Sequence, residues 1–295
     1  MRLIRYLIVL GLAGAAVFWF VTRPDPLVEA DLAGLAGNAD RGEAVFWATG
    51  CASCHMAKDA KGEAQLVLSG GQRFESDFGT FVAPNISSDP VQGIGGWSLL
   101  DVANAVTRGV SPGGTHYYPA LPYASYNKLA LQDVADLHAY LATLPADATP
   151  SLPHEVGFPF SWRRLLGGWK GLFLSRDWVI AGDLTPPQRR GRYIVEAMAH
   201  CAECHTPRNA LGGLDKGRWL AGVTDAAGKE LFPNITPAAL DWSEPEIVEY
   251  LTTGFTPEYD SVGGQMAHVV DNMARLPASD REAVASYLKL VPAVP

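Results

Sequence analysis

The chain has 295 residues, four cysteines and a net charge of −8 at pH 7, with no Lys/Arg-rich run. That length accommodates an anchor and two domains of about 110 residues each. An acidic balance without blocks of like charge gives no electrostatic grip on a nucleic-acid backbone, so no nucleic-acid partner is expected.

The N-terminus, "MRLIRYLIVLGLAGAAVFWFVTRPDP", places Arg2 and Arg5 before an apolar run over 6–21, with Arg23 after it. The run is short of the roughly 20 residues of a spanning helix but longer than most signal-peptide cores. It ends in bulky Phe18, Trp19 and Phe20 rather than a small-x-small cleavage site, and no lipid-accepting cysteine follows. The expectation is a retained signal anchor over 1–24, with the remainder on the periplasmic side of a bacterial inner membrane.

All four cysteines lie in two pentapeptides, "CASCH" over 51–55 and "CAECH" over 201–205. C-x-x-C-H is the attachment signal for c-type haem. Two thiols on one helical turn add to the haem vinyl groups, and the next residue turns its imidazole to the iron. Cys51, Cys54, Cys201 and Cys204 are therefore expected to hold two covalently bound haems, with His55 and His205 as proximal ligands. A redox dithiol or half a zinc site explains one such motif. It does not explain two copies behind a secretory N-terminus with no spare cysteine.

The motifs belong to an internal repeat. Each is preceded by a helix-like segment opening in Arg-Gly, at Arg41-Gly42 and Arg190-Gly191. Each is followed by "PNIS" (84–87) or "PNIT" (233–236), then by Trp-Ser at Trp97-Ser98 or Trp242-Ser243. Ser98 and Ser243 suit helix N-caps with Asp101 and Glu246 as capping-box partners, and Gly109 and Gly254 suit the C-terminal stops. A helical stretch, "DVADLHAYLATLP" or "DREAVASYLKLVP", closes each unit. From Trp97 and Trp242 onward the copies are expected to keep a constant separation of 145 residues, pairing Gly109 with Gly254, Pro112 with Pro257 and Leu121 with Met266.

This order predicts an all-α chain of two tandem cytochrome c domains, 38–147 and 188–292, with a connector over 148–187. The connector contains "FPFSWRRLLGGWKGLFLSRDW", whose aromatic and basic residues suit a membrane interface. Its Pro and Gly content favours a linker packed between the domains.

Met266, a soft thioether in "GGQMAH", is the expected distal ligand of the second iron. Met273 sits where the closing helix begins, and Met198 precedes Cys201 and is expected to pack. The first unit has Leu121 instead, which carries no donor atom, and Met56 directly follows the proximal His55. His116, on a Gly-Gly loop, is the leading distal candidate there; His138 on the closing helix is a weaker one, and an open position is the alternative. The Pro84 and Pro233 carbonyls are expected to accept the proximal Nδ1–H groups. Asn85 and Asn234 are candidate donors to haem propionates, with Asx turns as the competing role. Trp97 and Trp242 are expected in the core.

On "GCASCH", "APNISSDPVQGIGGWS", "YPALPYASY", "HCAECHTPRNALGG", "PNIT" and "GGQMAHVV", the sequence from about Ala39 onward resembles the cytochrome c subunits of bacterial membrane-bound alcohol, aldehyde and gluconate dehydrogenases. It is also similar to their diheme relatives that accompany molybdenum hydroxylase-type dehydrogenases. The resemblance implies electron transfer from a catalytic dehydrogenase subunit to quinone, another cytochrome or a terminal oxidase. The family's alcohol and gluconate dehydrogenase subunits usually carry a third haem domain, of which this sequence shows none. Many members have Met at the place of Leu121, and others have one near Leu129; this sequence has neither. The competing function is a diheme redox enzyme, peroxidase-like or thiosulfate dehydrogenase-like, working at an open or unusually ligated first haem. A haem-based sensor has little support, since no signalling domain is attached.

Overall fold

A computed structural model describes residues 2–224 and 231–295. Helix α1 (Arg2–Val21) takes in both N-terminal arginines and has no buried residue over its 20 positions. At 1.5 Å per residue it is about 30 Å long, the thickness of a bilayer's hydrocarbon core.

Two helical units follow. The first comprises α2 (Ala39–Thr49), α3 (Cys51–His55), α4 (Leu99–Ala103), α5 (Tyr123–Tyr126) and α6 (Leu131–Leu141). Next come α7 (Leu165–Phe173) in the connector and, in the second unit, α8 (Pro186–Tyr193), α9 (Ala202–His205), α10 (Glu244–Thr253), α11 (Gly264–Ala274) and α12 (Ala278–Leu288). Two antiparallel hairpins add the only strands among the described residues, β1 (Arg73–Ser76) with β2 (Gly79–Val82) and β3 (Val223–Thr224) with β4 (Leu231–Phe232). The chain is mostly helical, as its patterning predicts.

In each unit the first helix crosses the closing helix, α2 on α6 and α8 on α12. The Arg-Gly pairs explain how. A methyl group on Gly42 would overlap the Asp136 carbonyl, and one on Gly191 the Ala283 carbonyl, so only glycine permits the approach. The preceding arginines fix the crossing with two-pronged ion pairs. Arg41 meets Asp136 at 2.7 and 2.8 Å, and Arg190 meets Asp280 at 2.8 and 2.7 Å.

Both expected capping boxes are present. Asp101 N–H donates to Ser98 Oγ at 3.2 Å and Glu246 N–H to Ser243 Oγ at 3.4 Å, with each carboxylate answering the serine N–H. Gly109 and Gly254 end these helices at φ of 58° and 78°, a left-handed backbone that costs glycine nothing. Two π-helical turns, Asn104–Arg108 after α4 and Ile194–Met198 after α8, are not legible in the pattern.

The constant separation of 145 residues holds only part of the way. It covers the loop after the capping glycines, where the bridges Val110 to His116 and Phe255 to Ser261 match. Tyr117 N–H to Gly109 O and Val262 N–H to Gly254 O also match, both at 2.7 Å. Further on, Leu131–Leu141 answers Ala278–Leu288, a separation of 147 residues. Two extra residues in the second unit therefore fall between Val262 and Ala278, the stretch that holds α11.

The connector lies between the units as expected. Asn127 Nδ2 donates to Ser175 O at 3.1 Å on the first-unit side, and Val179 N–H to Glu196 Oε2 at 2.7 Å on the second. It also grips the end of α1, which the sequence reading did not anticipate. Gly167 packs on the Thr22 backbone, Arg164 Nε donates to Thr22 Oγ1 at 2.9 Å, and the Phe18 and Trp162 rings lie 5.3 Å apart.

Candidate functional site

Each C-x-x-C-H segment sits on a single helical turn, α3 or the turn opening α9, reached through a sharp end of the preceding helix. Thr49 Oγ1 lies 3.3 Å from Cys51 Sγ, and Gln72 Nε2 ties the far end of α3 by donating to Ser53 O at 3.1 Å and Met56 O at 2.9 Å. Past each motif the chain returns across the histidine, with Gly70 N–H on His55 O at 2.7 Å and Gly222 N–H on His205 O at 2.8 Å. This return carries the Pro-Asn loops into place. His55 Nδ1 meets Pro84 O at 2.8 Å and His205 Nδ1 meets Pro233 O at 2.7 Å, as expected from the sequence.

These bonds fix each ring with Nδ1 as donor and leave Nε2 as the lone-pair nitrogen. Burial, against the opposing pull of the Pro84 and Pro233 carbonyls, holds both imidazoles below their ordinary pKa. They are neutral at pH 7, the form an iron requires.

Burial pushes the thiols upward, Cys51 to about 11, with Thr49 opposing, and Cys201 to about 12. Cys54 rises to about 12 through burial first, then through Cys51 and Cys204. A redox dithiol needs a depressed thiol pKa, and a metal-thiolate site needs a cluster of ligands. Cys51, Cys54 and Cys201 are shifted the opposite way, and no such cluster is found among the described residues. Half-buried thiols, neutral at Cys51, Cys54 and Cys201, beside a neutral, oriented imidazole fit covalent capture of haem. When bound, the haem supplies a one-electron iron couple whose potential is set by its axial ligands and by burial.

The two attachment segments share one seam. Asn272 Nδ2 on α11 donates to Ser53 Oγ within "CASCH" at 2.9 Å, and Ser125 Oγ donates to Glu203 Oε1 within "CAECH" at 3.4 Å. The Tyr126 and His200 rings lie 5.6 Å apart, and Cys204 is near enough to Cys54 to oppose its ionisation. No sequence signal points to Asn272, because its partner is 219 residues away.

Three predicted site residues have other duties. His116 is buried, with Nε2 at 2.9 Å from Thr22 O and Nδ1 at 3.1 Å from Lys170 Nζ. Both ring nitrogens are committed, and the ring faces a cavity of about 340 Å³ between α1, α7 and the first unit. In place of an approach to the first iron, the expected role, these bonds link the first unit to the end of α1 and to α7. Lys170 completes the link by donating to Arg108 O at 2.6 Å and Gly109 O at 2.8 Å, and burial lowers its pKa to about 7. Asn85 is buried too. Its Nδ2 donates to Asp147 O and Thr149 O, both at 2.8 Å, and its Oδ1 accepts from Ser87 N–H at 2.8 Å. With both amide hydrogens spent on backbone, it has none for a propionate. Asn234 has the same turn, accepting from Thr236 N–H at 2.9 Å and donating to Val294 O at 2.8 Å. Both side chains form Asx turns. Met266 is half-buried and packs on the core from the first turn of α11, as do Trp97 and Trp242 from their own units.

A helical unit closed by crossed terminal helices, built twice around an oriented C-x-x-C-H turn, defines a c-type cytochrome with two haem sites. Residues 39–145 match the cytochrome c family model. The chain is 57% identical to a diheme cytochrome c-type protein of Cereibacter sphaeroides, over 96% of this chain and 95% of that one. It is 35% identical to the fructose dehydrogenase cytochrome subunit of Gluconobacter japonicus over 97% of this chain. It is 32% identical to the cytochrome c subunit of the quinone-dependent alcohol dehydrogenase of Gluconobacter oxydans over 86% of this chain. It spans 58% and 55% of those two subunits. The chain belongs to the diheme c-type cytochromes, carries two covalently bound haem c groups, and is homologous to the electron-transfer subunits of membrane dehydrogenases.

Proposed function

We propose that this cytochrome is an inner-membrane-anchored, periplasmic electron conduit. It takes electrons from a dehydrogenase catalytic subunit and passes them to quinone, another cytochrome or a terminal oxidase. The observation that carries this reading is the shared seam. Each attachment segment is bonded to the other unit, through Ser53–Asn272 and Ser125–Glu203, and two haem sites so joined suit a relay. The kinship with cytochrome subunits of fructose and alcohol dehydrogenases supports the donor class. The exposed α1 and the grip of Arg164 and Gly167 on its end support an anchor with a set orientation.

Within this reading 1–24 is the anchor, 38–147 and 188–292 are the haem domains and 148–187 joins them. His55 and His205 ligate the two irons proximally and Met266 ligates the second distally. The test uses membranes from a producing strain and from its deletion mutant, supplied with alcohols, aldehydes, sugars, sugar acids or heteroaromatic acids. One substrate class should reduce the c-haems and drive oxygen uptake in the first membranes only. If every class drives respiration equally in both, the conduit role fails.

A further inference from the structure

The two units differ most where an iron needs its sixth ligand. The second presents Met266; the matching segment of the first, "YYPALPYASYNKLAL" over 117–131, contains no Met, Cys or His. The absence of these donors holds in either register across the two-residue insertion. The polar side chains of the segment are largely engaged elsewhere. Tyr118 Oη donates to Phe160 O at 3.1 Å, Tyr123 Oη to Tyr117 O at 3.1 Å and Tyr126 Oη to Thr49 O at 2.6 Å. Lys128 lines the seam with Glu203 and Lys216, and Tyr117, half-buried, is held in its neutral phenol form by that burial.

The histidines that reach this unit are engaged elsewhere at one or both ring nitrogens. His116 is held by Thr22 and Lys170, His138 Nε2 lies 3.2 Å from Trp97 O, and His154 Nδ1 accepts from Val82 N–H at 3.1 Å. His200 of the second unit is engaged by the Thr49 backbone and lies against Tyr126. Met56, buried next to His55, belongs to the proximal side.

We infer that the first haem keeps an open sixth position, and that the Leu121 segment forms an apolar site there for small neutral π-acceptor ligands such as carbon monoxide or nitric oxide. Leu121 packs on the core between Pro119 and Pro122, so its segment brings neither a competing ligand nor a strong hydrogen-bond donor to the position. Such a wall favours neutral diatomic molecules over anions, whose charge would be buried without a partner. The second haem, with its thioether, is closed to them. The inference rests on the two-haem reading but not on the dehydrogenase partner.

The probe is carbon monoxide, titrated into the full-length, haem-loaded, dithionite-reduced protein in detergent and followed in the Soret band. The wild type should bind one carbon monoxide per two haems. Leu121→Met should lose that binding, whereas Met266→Ala should bind two. A wild type that binds none would overturn the inference, as would a Leu121→Met protein that binds as the wild type does. A stoichiometry left at one by Met266→Ala would mean that the responsive iron is the second. No dehydrogenase enters the measurement, so its outcome is separate from the fate of the electron-conduit reading.

Discussion

Met266 and His116 show how differently two plausible ligands read once their neighbours are known. A thioether on iron stabilises the ferrous state and raises the potential. Met266→Ala should therefore abolish the higher-potential step in a redox titration, and an unchanged curve would remove Met266 from the iron. His116→Ala should leave the haem spectrum unmoved while destabilising the fold by about 1–3 kcal/mol, because Thr22 O and Lys170 lose a buried partner; denaturant titration beside an absorption spectrum separates the two effects. Burial first, then Lys170 and Arg164, hold the His116 imidazole below its ordinary pKa of 6.5, with the Thr22 carbonyl opposing. Below pH 6.5 the unfolded chain takes up a proton that the folded ring resists, so this contribution is complete above 6.5 and is lost as pH falls beneath it. His116→Gln should flatten that part of the stability profile; parallel profiles would show that the ring titrates as freely folded as unfolded.

At the scale of elements, much was legible because the determinants are local. The capping boxes at Ser98 and Ser243, the stops at Gly109 and Gly254, and the proline carbonyls above the proximal histidines all follow from motifs a few residues long or from a motif repeated twice. What was not legible depends on distant partners. Nothing near His116 in sequence reveals Lys170, and nothing near Asn85 reveals the carbonyls of Asp147 and Thr149 that consume its amide. The insertion between Val262 and Ala278 escaped because the apolar pattern on either side survives a shift of two residues. The Arg-Gly pairs were visible as a repeat, but their reason, the helix crossing, was not. Gly42→Val and Gly191→Val should each cost several kcal/mol by forcing apart α2 and α6 or α8 and α12. Circular dichroism melts and haem content per protein would check this, and wild-type values for either variant would show that the crossing tolerates a side chain.

For the molecule as a whole, the connector is the part that makes one object from three. It binds α1 through Thr22, the first unit through Arg108 and Gly109, and the second through Glu196. The two units are thereby tied to α1 rather than tethered to it by a free linker. In the proposed ligation the two cofactors have unlike surroundings, one facing Met266 and one facing a segment without a donor. The most direct test of this asymmetry is near-infrared magnetic circular dichroism of the fully oxidised protein, with intensity normalised per haem. One haem should show a sulfur-to-iron charge-transfer band and the other a high-spin signature. Two sulfur bands, or a bis-nitrogen band from the first haem, would contradict the account.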